Sequence, residues 1–447
     1  MNRLIYLLFL LTLPALGFAE TQVLAPVKVI SMATGEVTEN RAIIIEDGTI
    51  TEVVEHQPGQ APEGAQVIDG QGAWVIPGLA EMHAHIPPQN RGEQHARDVL
   101  ALFLANGVTT VRGMLGQPWH LELRALLEEQ RWPGPRLVTS GPSFNGNSVS
   151  SPAQAAQMVR EQAAAGYDFL KLHPGLEPDE FAAIADTASE LEIPFAGHVS
   201  FVVGLEAALR AGQATIDHLD AYAEAMVPGD SALAGAEPQW FGVNLGLAMD
   251  PARAPELASA TAQAGVWSVP TQSLLETTAG AEPLAELLAR PGMEYLAAET
   301  RAAWQRAVEN MRGQASAEQR AAFIRARRAL IGALQEAGAG LLLGSDAPQI
   351  MNVPGYSVHQ ELAYLVASGL TPLQALQSGT INVARFLGRA DEGEVAAGQV
   401  ADLVLLEANP LDDISASARV SGVFRGGEYY SRARLDEMLS GIRERGI

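Results

Sequence analysis

Four histidines, one aspartate and one lysine carry the chemistry legible in this chain. His83 and His85 stand one residue apart in PGLAEMHAH, His198 lies in IPFAGHVS, His218 in QATIDHLD, Asp346 ends GLLLGSD, and Lys171 lies in DFLKLH. Side chains alternate along an extended strand, so His83 and His85 point to one side and can share an ion. Imidazole and carboxylate suit Zn2+ and also accept Mn2+, Co2+ or Fe2+. Three such groups hold one ion, and five are enough for two if a further group bridges them. Of 29 basic residues only Lys28 and Lys171 are lysine. An ammonium at the end of a strand facing two cations would be repelled, and burial depresses its pKa toward the neutral, nucleophilic amine. A neutral amine adds carbon dioxide to form a carbamate, an anionic and bidentate group able to bridge two ions.

Any one of these histidines, taken alone, reads as an ordinary core residue. Their joint placement is what points to a metal centre. Eight apolar strand-like runs alternate with helix-competent segments between about Pro77 and Leu387: VIPGLAEMHAH, GVTTVRGM, PRLVTSG, DFLKLH, IPFAGHVS, QATIDHLD, GVWSVPTQ and GLLLGSD. Eight βα units predict an α/β fold, a (β/α)8 TIM barrel, whose active site is assembled at the C-terminal ends of its strands. The six residues above fall at such ends, whereas His56, His95 and His120 do not. The Ala/Arg/Glu-rich stretch 281–338 is expected to be helical, either as a solvated face or as a lid near the barrel mouth. Both chain ends read as short β-branched runs broken by Gly, Asn and Asp turns, which predicts one small β-sandwich built from the two termini. The expected organisation is therefore a signal peptide over 1–19, a β-sandwich from 20–76 plus 390–447, and the barrel over 77–389.

The 447 residues, with 47% hydrophobic and 18% charged, are ordinary for a globular chain and exclude collagen-like or largely disordered classes. A formal charge of -23 disfavours nucleic acid and anionic lipid as partners. Absence of cysteine excludes disulfides, thiolate zinc sites, iron–sulfur clusters, catalytic thiols and a lipoprotein anchor. The opening Met-Asn-Arg followed by LIYLLFLLTLPALGFAE has the positive head, short apolar run and small residues Gly17 and Ala19 of a secretory signal cut after Ala19. A secreted or periplasmic protein, free of the membrane after cleavage, is expected; an uncleaved anchor is the alternative. A homo-oligomer is compatible with this reading.

PGLAEMHAH, GVTTVRGM, GSDAP, SGTINVARFLG and GEVAAGQVADLVLLEANPLDDI together resemble the amidohydrolase superfamily, in its binuclear form with a carboxylated lysine, over essentially the whole mature chain. The similarity is to the imidazolonepropionase-like and Xaa-Pro dipeptidase-like branch, which includes ochratoxin-hydrolysing enzymes. It implies His83, His85 and Asp346 on one ion, His198 and His218 on the second, and carboxylated Lys171 as the bridge, with zinc as the expected metal. It further implies that a hydroxide between the ions attacks an amide carbonyl while Asp346 takes its proton and passes it to the leaving nitrogen. Many relatives have Asp two residues before the first histidine; Glu81 stands there instead, which bears on ligand orientation. The expected substrate is a dipeptide or an N-acyl amino acid with a free carboxylate. Tyr222, His173, Arg112 and His359 are candidate substrate contacts, and Arg112 has pairing with Glu81 as its alternative. A lactone or cyclic-amide hydrolase on the same ligands, and a non-catalytic exported binding protein, remain alternatives. Deaminases of the superfamily usually have one metal and a catalytic Glu, and Lys171 argues against them.

Overall fold

The computed structural model describes residues 21–447, and the expected signal peptide lies outside the described residues. Among the described residues no helix is long and apolar enough to cross a membrane.

Five strands open the described chain: β1 (Gln22–Ile30), β2 (Val37–Glu46), β3 (Thr49–Glu55), β4 (Gln66–Asp69) and β5 (Trp74–Pro77). Seven short ones follow through the centre: β6 (Leu79–Ala84), β7 (Val108–Gly113), β8 (Arg136–Thr139), β9 (Leu170–Leu172), β10 (Phe195–Gly197), β11 (Thr215–Asp217) and β12 (Trp267–Val269). Three more close the chain: β13 (Leu403–Leu406), β14 (Val420–Arg425) and β15 (Glu428–Ser431). The strands of the two chain ends join in one eight-stranded sheet, ordered β15-β14-β13-β5-β1-β2-β3 with β4 on β1. Side-chain alternation gives this sheet two apolar faces. Val75, Leu403 and Leu405 turn into a small core with Leu24, Ile43 and Phe424, while Ile76, Val404 and Leu406 join the large central core.

The central strands form two parallel sheets, β6-β7-β8 and β12-β11-β10-β9. Parallel bridges Ser140↔Phe169 and Phe144↔Leu172 link one sheet to the other. On the far side, Ser268↔Leu341 and Ala84↔Ala347 attach the 340–346 run to β12 and β6. That run is extended without a continuous ladder, and Asp346 leaves the strand conformation at φ 68°. Crossover helices lie between the strands, as parallel pairing demands. The helix Pro152–Ala165 shows why they stop and start where they do: Ser151 accepts from Gln154 N, Pro152 opens the first turn, and Gly166 closes the last in the left-handed conformation.

The 281–338 stretch is helical as expected, with helices Leu284–Leu288, Ala298–Gly313 and Ala317–Glu336. The last of these buries Phe323, Arg327, Leu330, Ile331 and Leu334 at helical spacing, and it packs against the helices Ala254–Ala264 and Gln272–Ala279 rather than lying free.

One expected run divides. VIPGLAEMHAH reads as a single strand but splits at Gly78 into β5, paired with β1 and β13, and β6, paired with β7. Gly78 is required there by crowding, since a Cβ would stand 2.0 Å from Thr109 Oγ1. Gly78→Ala should therefore shift the urea midpoint downward by an amount equivalent to about 1–3 kcal/mol. An unchanged midpoint would mean that β5 and β6 are less tightly joined than the geometry indicates.

Candidate metal centre

β6, β9, β10, β11 and the 340–346 run each bring one or two of the chemically competent side chains to neighbouring strand ends. His83, the penultimate residue of β6, is 1% exposed, with its Nε2 3.6 Å from Asp346 Oδ1. His85 Nε2 lies 2.6 Å from the same oxygen. The rings of His83 and His218 are 4.4 Å apart and those of His198 and His218 4.5 Å apart. Donor atoms of His83, His218 and Asp346 all fall within 4.8 Å of one another, a group able to hold a metal ion.

Lys171 is wholly buried in β9, beside Ala196 of β10. Its side chain runs past Gly197, where a Cβ would stand 2.9 Å from Lys171 Cδ and 3.1 Å from Nζ, so only glycine leaves it room. Burial lowers the Lys171 ammonium to about 8, although Asp217, Asp346 and Asp220 oppose that shift. Desolvation likewise holds His83 and His218 well below the usual imidazole range and brings His198 to about 3 and His173 to about 2. Neutral imidazole is the form that binds cations.

Three of the histidines have one ring nitrogen close to a neighbour's oxygen, hydrogen-bonded in His198 and His218 and only in close approach in His83. His198 Nδ1 is 2.7 Å from Asp220 Oδ2, His218 Nδ1 is 2.8 Å from Thr271 Oγ1, and His83 Nδ1 is 2.8 Å from Asp217 Oδ2. Such partners orient the ring and leave Nε2 as the donor. The close approaches of His83 Nδ1 and Asp346 Oδ1 lack hydrogen-bond alignment, and these two atoms and Lys171 Nζ have no hydrogen-bond partner among the described residues. Each orphaned buried group costs about 1–3 kcal/mol. Asp346 Oδ1 and Lys171 Nζ, beside the neutral imidazoles of His83 and His218, match the donor set of a divalent cation.

The backbone at the site is fixed from behind. Glu81 Oε1 accepts from His83 N at 3.0 Å and Ser345 N at 2.7 Å, which ties β6 to the 340–346 run. Burial raises this carboxyl to about 8. The buried Arg327 donates to His218 O at 2.6 Å and Pro270 O at 2.8 Å, and Glu361 accepts from Gln272 N and Ser273 N. His218, Thr271 and Asp346 all take positive φ, and these contacts hold them there.

The expected substrate contacts divide. His173 stacks on His198 with centroids 4.9 Å apart, next to the centre. Tyr222 is instead a core residue whose hydroxyl bonds Thr261 Oγ1 at 2.6 Å, because positive φ at Leu219 and Ala221 turns the chain so that Asp220 lines the cavity beside His198. Arg112 points inward, donating to Met82 O at 2.7 Å and lying 3.4 Å from Asp217 rather than bonding Glu81. His359 is buried between Ser417 Oγ and Asn106 O. Sequence reasoning missed Asp217, Asp220, Thr271 and Phe241. The first two sit one and two residues from His218, a signal that was available. Phe241, 5.0 Å from the His218 ring, comes from an irregular loop and had none.

The cavity beside His198 measures about 290 Å3 and is walled by Phe201, Trp240 and Phe241 together with Asp220, Glu224 and Glu237. Burial raises Asp220 and Glu224 to about 7.

Residues 74–429 match the model of the Amidohydrolase family. The chain belongs to the amidohydrolase family. A stretch of 101 residues, 21% of this chain, is 33% identical to the ochratoxinase of Aspergillus niger, and the match spans only 20% of that relative's length. Among solved structures, a bottromycin amidohydrolase is similar with TM-score 0.73 and 25% identity over 95% of this chain and 90% of that one. A Xaa-Pro dipeptidase with bound methionine shares the fold with TM-score 0.67 and 19% identity, over 92% of this chain and all of the other.

If Asp220 orients His198, Asp220→Ala should weaken metal binding about 10- to 100-fold while leaving the circular dichroism spectrum intact. Titration with a fluorescent chelator as competitor measures this, and an unaltered affinity would remove Asp220 from the centre.

Proposed function

We propose that the protein hydrolyses an amide bond with the help of two divalent ions. His83, His85 and Asp346 hold one, His198 and His218 the second, on a fold in which the eight runs close into a (β/α)8 barrel and the terminal strands form a β-sandwich. The observation that carries the reading is the buried donor group of His83, His218 and Asp346, with Asp346 Oδ1 and Lys171 Nζ left without hydrogen-bond partners. Imidazole and carboxylate donors make zinc the metal of choice. When bound, the ions would supply a water that ionises near neutral pH and a Lewis acid for the carbonyl oxygen. Asp346, with Gln349 Nε2 donating to its Oδ2 at 3.0 Å, would accept the water's proton and deliver it to the leaving nitrogen. Lys171 would hold the ions as its carbamate: the neutral amine would attack the carbon of carbon dioxide, an N–H proton would leave to solvent, and the new carboxylate would supply negative charge for the cations.

The substrate reading narrows in the same place. Arg112 faces away from the cavity beside His198, so it is not the partner of a substrate carboxylate there. That cavity presents three carboxylates, three aromatic rings and no cationic side chain, which favours a free ammonium on the substrate. A dipeptide fits this better than an N-acyl amino acid.

Chelation should abolish amide hydrolysis and metal return should restore it; undiminished activity in metal-free protein would end the proposal. Lys171→Ala should lose metal and activity together, with partial rescue by added propionate, and zinc reconstitution of the wild-type chain should be faster with bicarbonate. Full activity in Lys171→Ala would make the bridge wrong. Asp346→Asn should lower kcat by about 100-fold or more with a smaller loss of metal. Against matched substrates, kcat/KM for a dipeptide should exceed that for its N-acetyl form by about tenfold or more, and Glu224→Gln should shrink that ratio through KM. Equal values would return the N-acyl amino acids to first place.

A further inference from the structure

A second cavity, of about 340 Å3, lies away from the metal centre. Phe169 precedes β9, Pro194 precedes β10 and Ala214 precedes β11, so these lining residues stand at the strand ends opposite those that lead to His198 and His218. Most of its wall is apolar, and Arg112 is set into it. This residue is 1% exposed, with its guanidinium carbon 5.4 Å from the ring centroids of both Phe169 and Phe386. Nε donates to Met82 O, and Nη2 reaches Thr215 Oγ1 at 3.1 Å and Asp217 at 3.4 Å. Nη1 makes no hydrogen bond among the described residues, and Arg112 is one of the residues that line the cavity. A guanidinium normally has its donors satisfied when buried.

Of the other charged groups on this wall, Asp168 is engaged and Arg389 is only half-buried. Asp168 accepts from Arg124 Nη1 at 2.8 Å and from Thr139 N at 2.7 Å, and Arg389 pairs with Glu392 at 3.3 Å. Arg112 is thus the one group on this wall, among the described residues, with a buried donor to spare. We propose that the cavity binds a small carboxylic acid with an apolar body, the carboxylate on Nη1 of Arg112 and the body against Phe169, Phe386 and Leu387. Two features favour this class. Folding already buries the guanidinium, so a carboxylate bound there makes its charge-assisted hydrogen bond away from bulk solvent. The walls are aromatic and aliphatic, so the rest of the ligand gains by leaving water. The site is independent of the metal chemistry and holds or fails without it.

Phenylacetate is the probe, titrated by calorimetry into the purified full chain and again after chelation. A Kd of about 1 mM or tighter is expected, as for a ligand of about ten heavy atoms with one charge-assisted contact. Phenylacetamide, which lacks the charge, should bind about tenfold weaker or less well still. Ala214→Phe, which narrows the cavity without touching Arg112, should abolish binding while leaving hydrolytic activity unchanged, and Arg112→Met should abolish it where that variant folds. Absent binding, equal affinity for the acid and the amide, or an unchanged Kd in Ala214→Phe would each overturn the proposal. So would binding that disappears on chelation, because the probe would then be sitting on the metal centre.

Discussion

Desolvation of the strand-end cluster is the constraint from which the rest of the site follows. His83, His198, His218 and Lys171 share a space from which water is almost excluded, and burial pushes each toward its neutral form. A histidine that must shed a proton before binding a cation competes with solvent protons; one already neutral does not. The same exclusion of water that makes the cluster costly to bury therefore leaves it prepared for a cation. Burial shifts the carboxyl of Asp220 alongside in the opposite direction for the same reason, up to about 7. A divalent ion would favour the charged carboxylate without protonating the imidazoles.

Holding such groups in place takes backbone conformations that unaided residues avoid. His218, Thr271 and Asp346 sit at φ 62°, 46° and 68°, each at an expected cost of about 1–3 kcal/mol. The contacts that fix them come from distant parts of the chain. Arg327, on the Ala317–Glu336 helix, holds the carbonyl of His218; Glu361, on the Tyr356–Ala367 helix, caps the turn after Thr271; Glu81 in β6 grips Ser345 just before Asp346. The Ala317–Glu336 helix therefore acts as a support for the centre, which is a different role from that of a solvated face or a lid.

What the sequence discloses follows from what period and residue type can encode. Alternation placed His83 and His85 on one side of a strand, and the recurrence of polar residues at the ends of apolar runs marked His198, His218, Lys171 and Asp346. These are local signals. The orientation of Tyr222, Arg112 and His359 is not local: each depends on a partner tens to hundreds of residues away, Thr261, Asp217 and Ser417. The division of VIPGLAEMHAH at Gly78 was hidden because β5 and β6 are equally apolar, and only the identity of their neighbours, β13 and β7, separates them. Phe241 approaches His218 from a loop with no periodicity at all, and nothing in its neighbourhood could have announced it.

The scarcity of lysine acquires a physical reason in this setting. Where the chain needs a permanent cation in a dry place it has arginine: Arg327 on the His218 carbonyl, Arg112 beside Asp217. Burial lowers Arg327 only to about 10, so it stays charged and keeps its planar set of donors on two carbonyls and an amide. The same burial brings Lys171 to about 8, within reach of deprotonation near neutral pH. An arginine at 171 could not give up its proton and would set a fixed positive charge against any ion bound by the four histidines. A lysine at 327 would bring one flexible point charge to a position where three acceptors must be met at once. The two residue types thus differ in whether a buried charge persists, and Lys171 is the one among these whose proton burial brings within reach of loss.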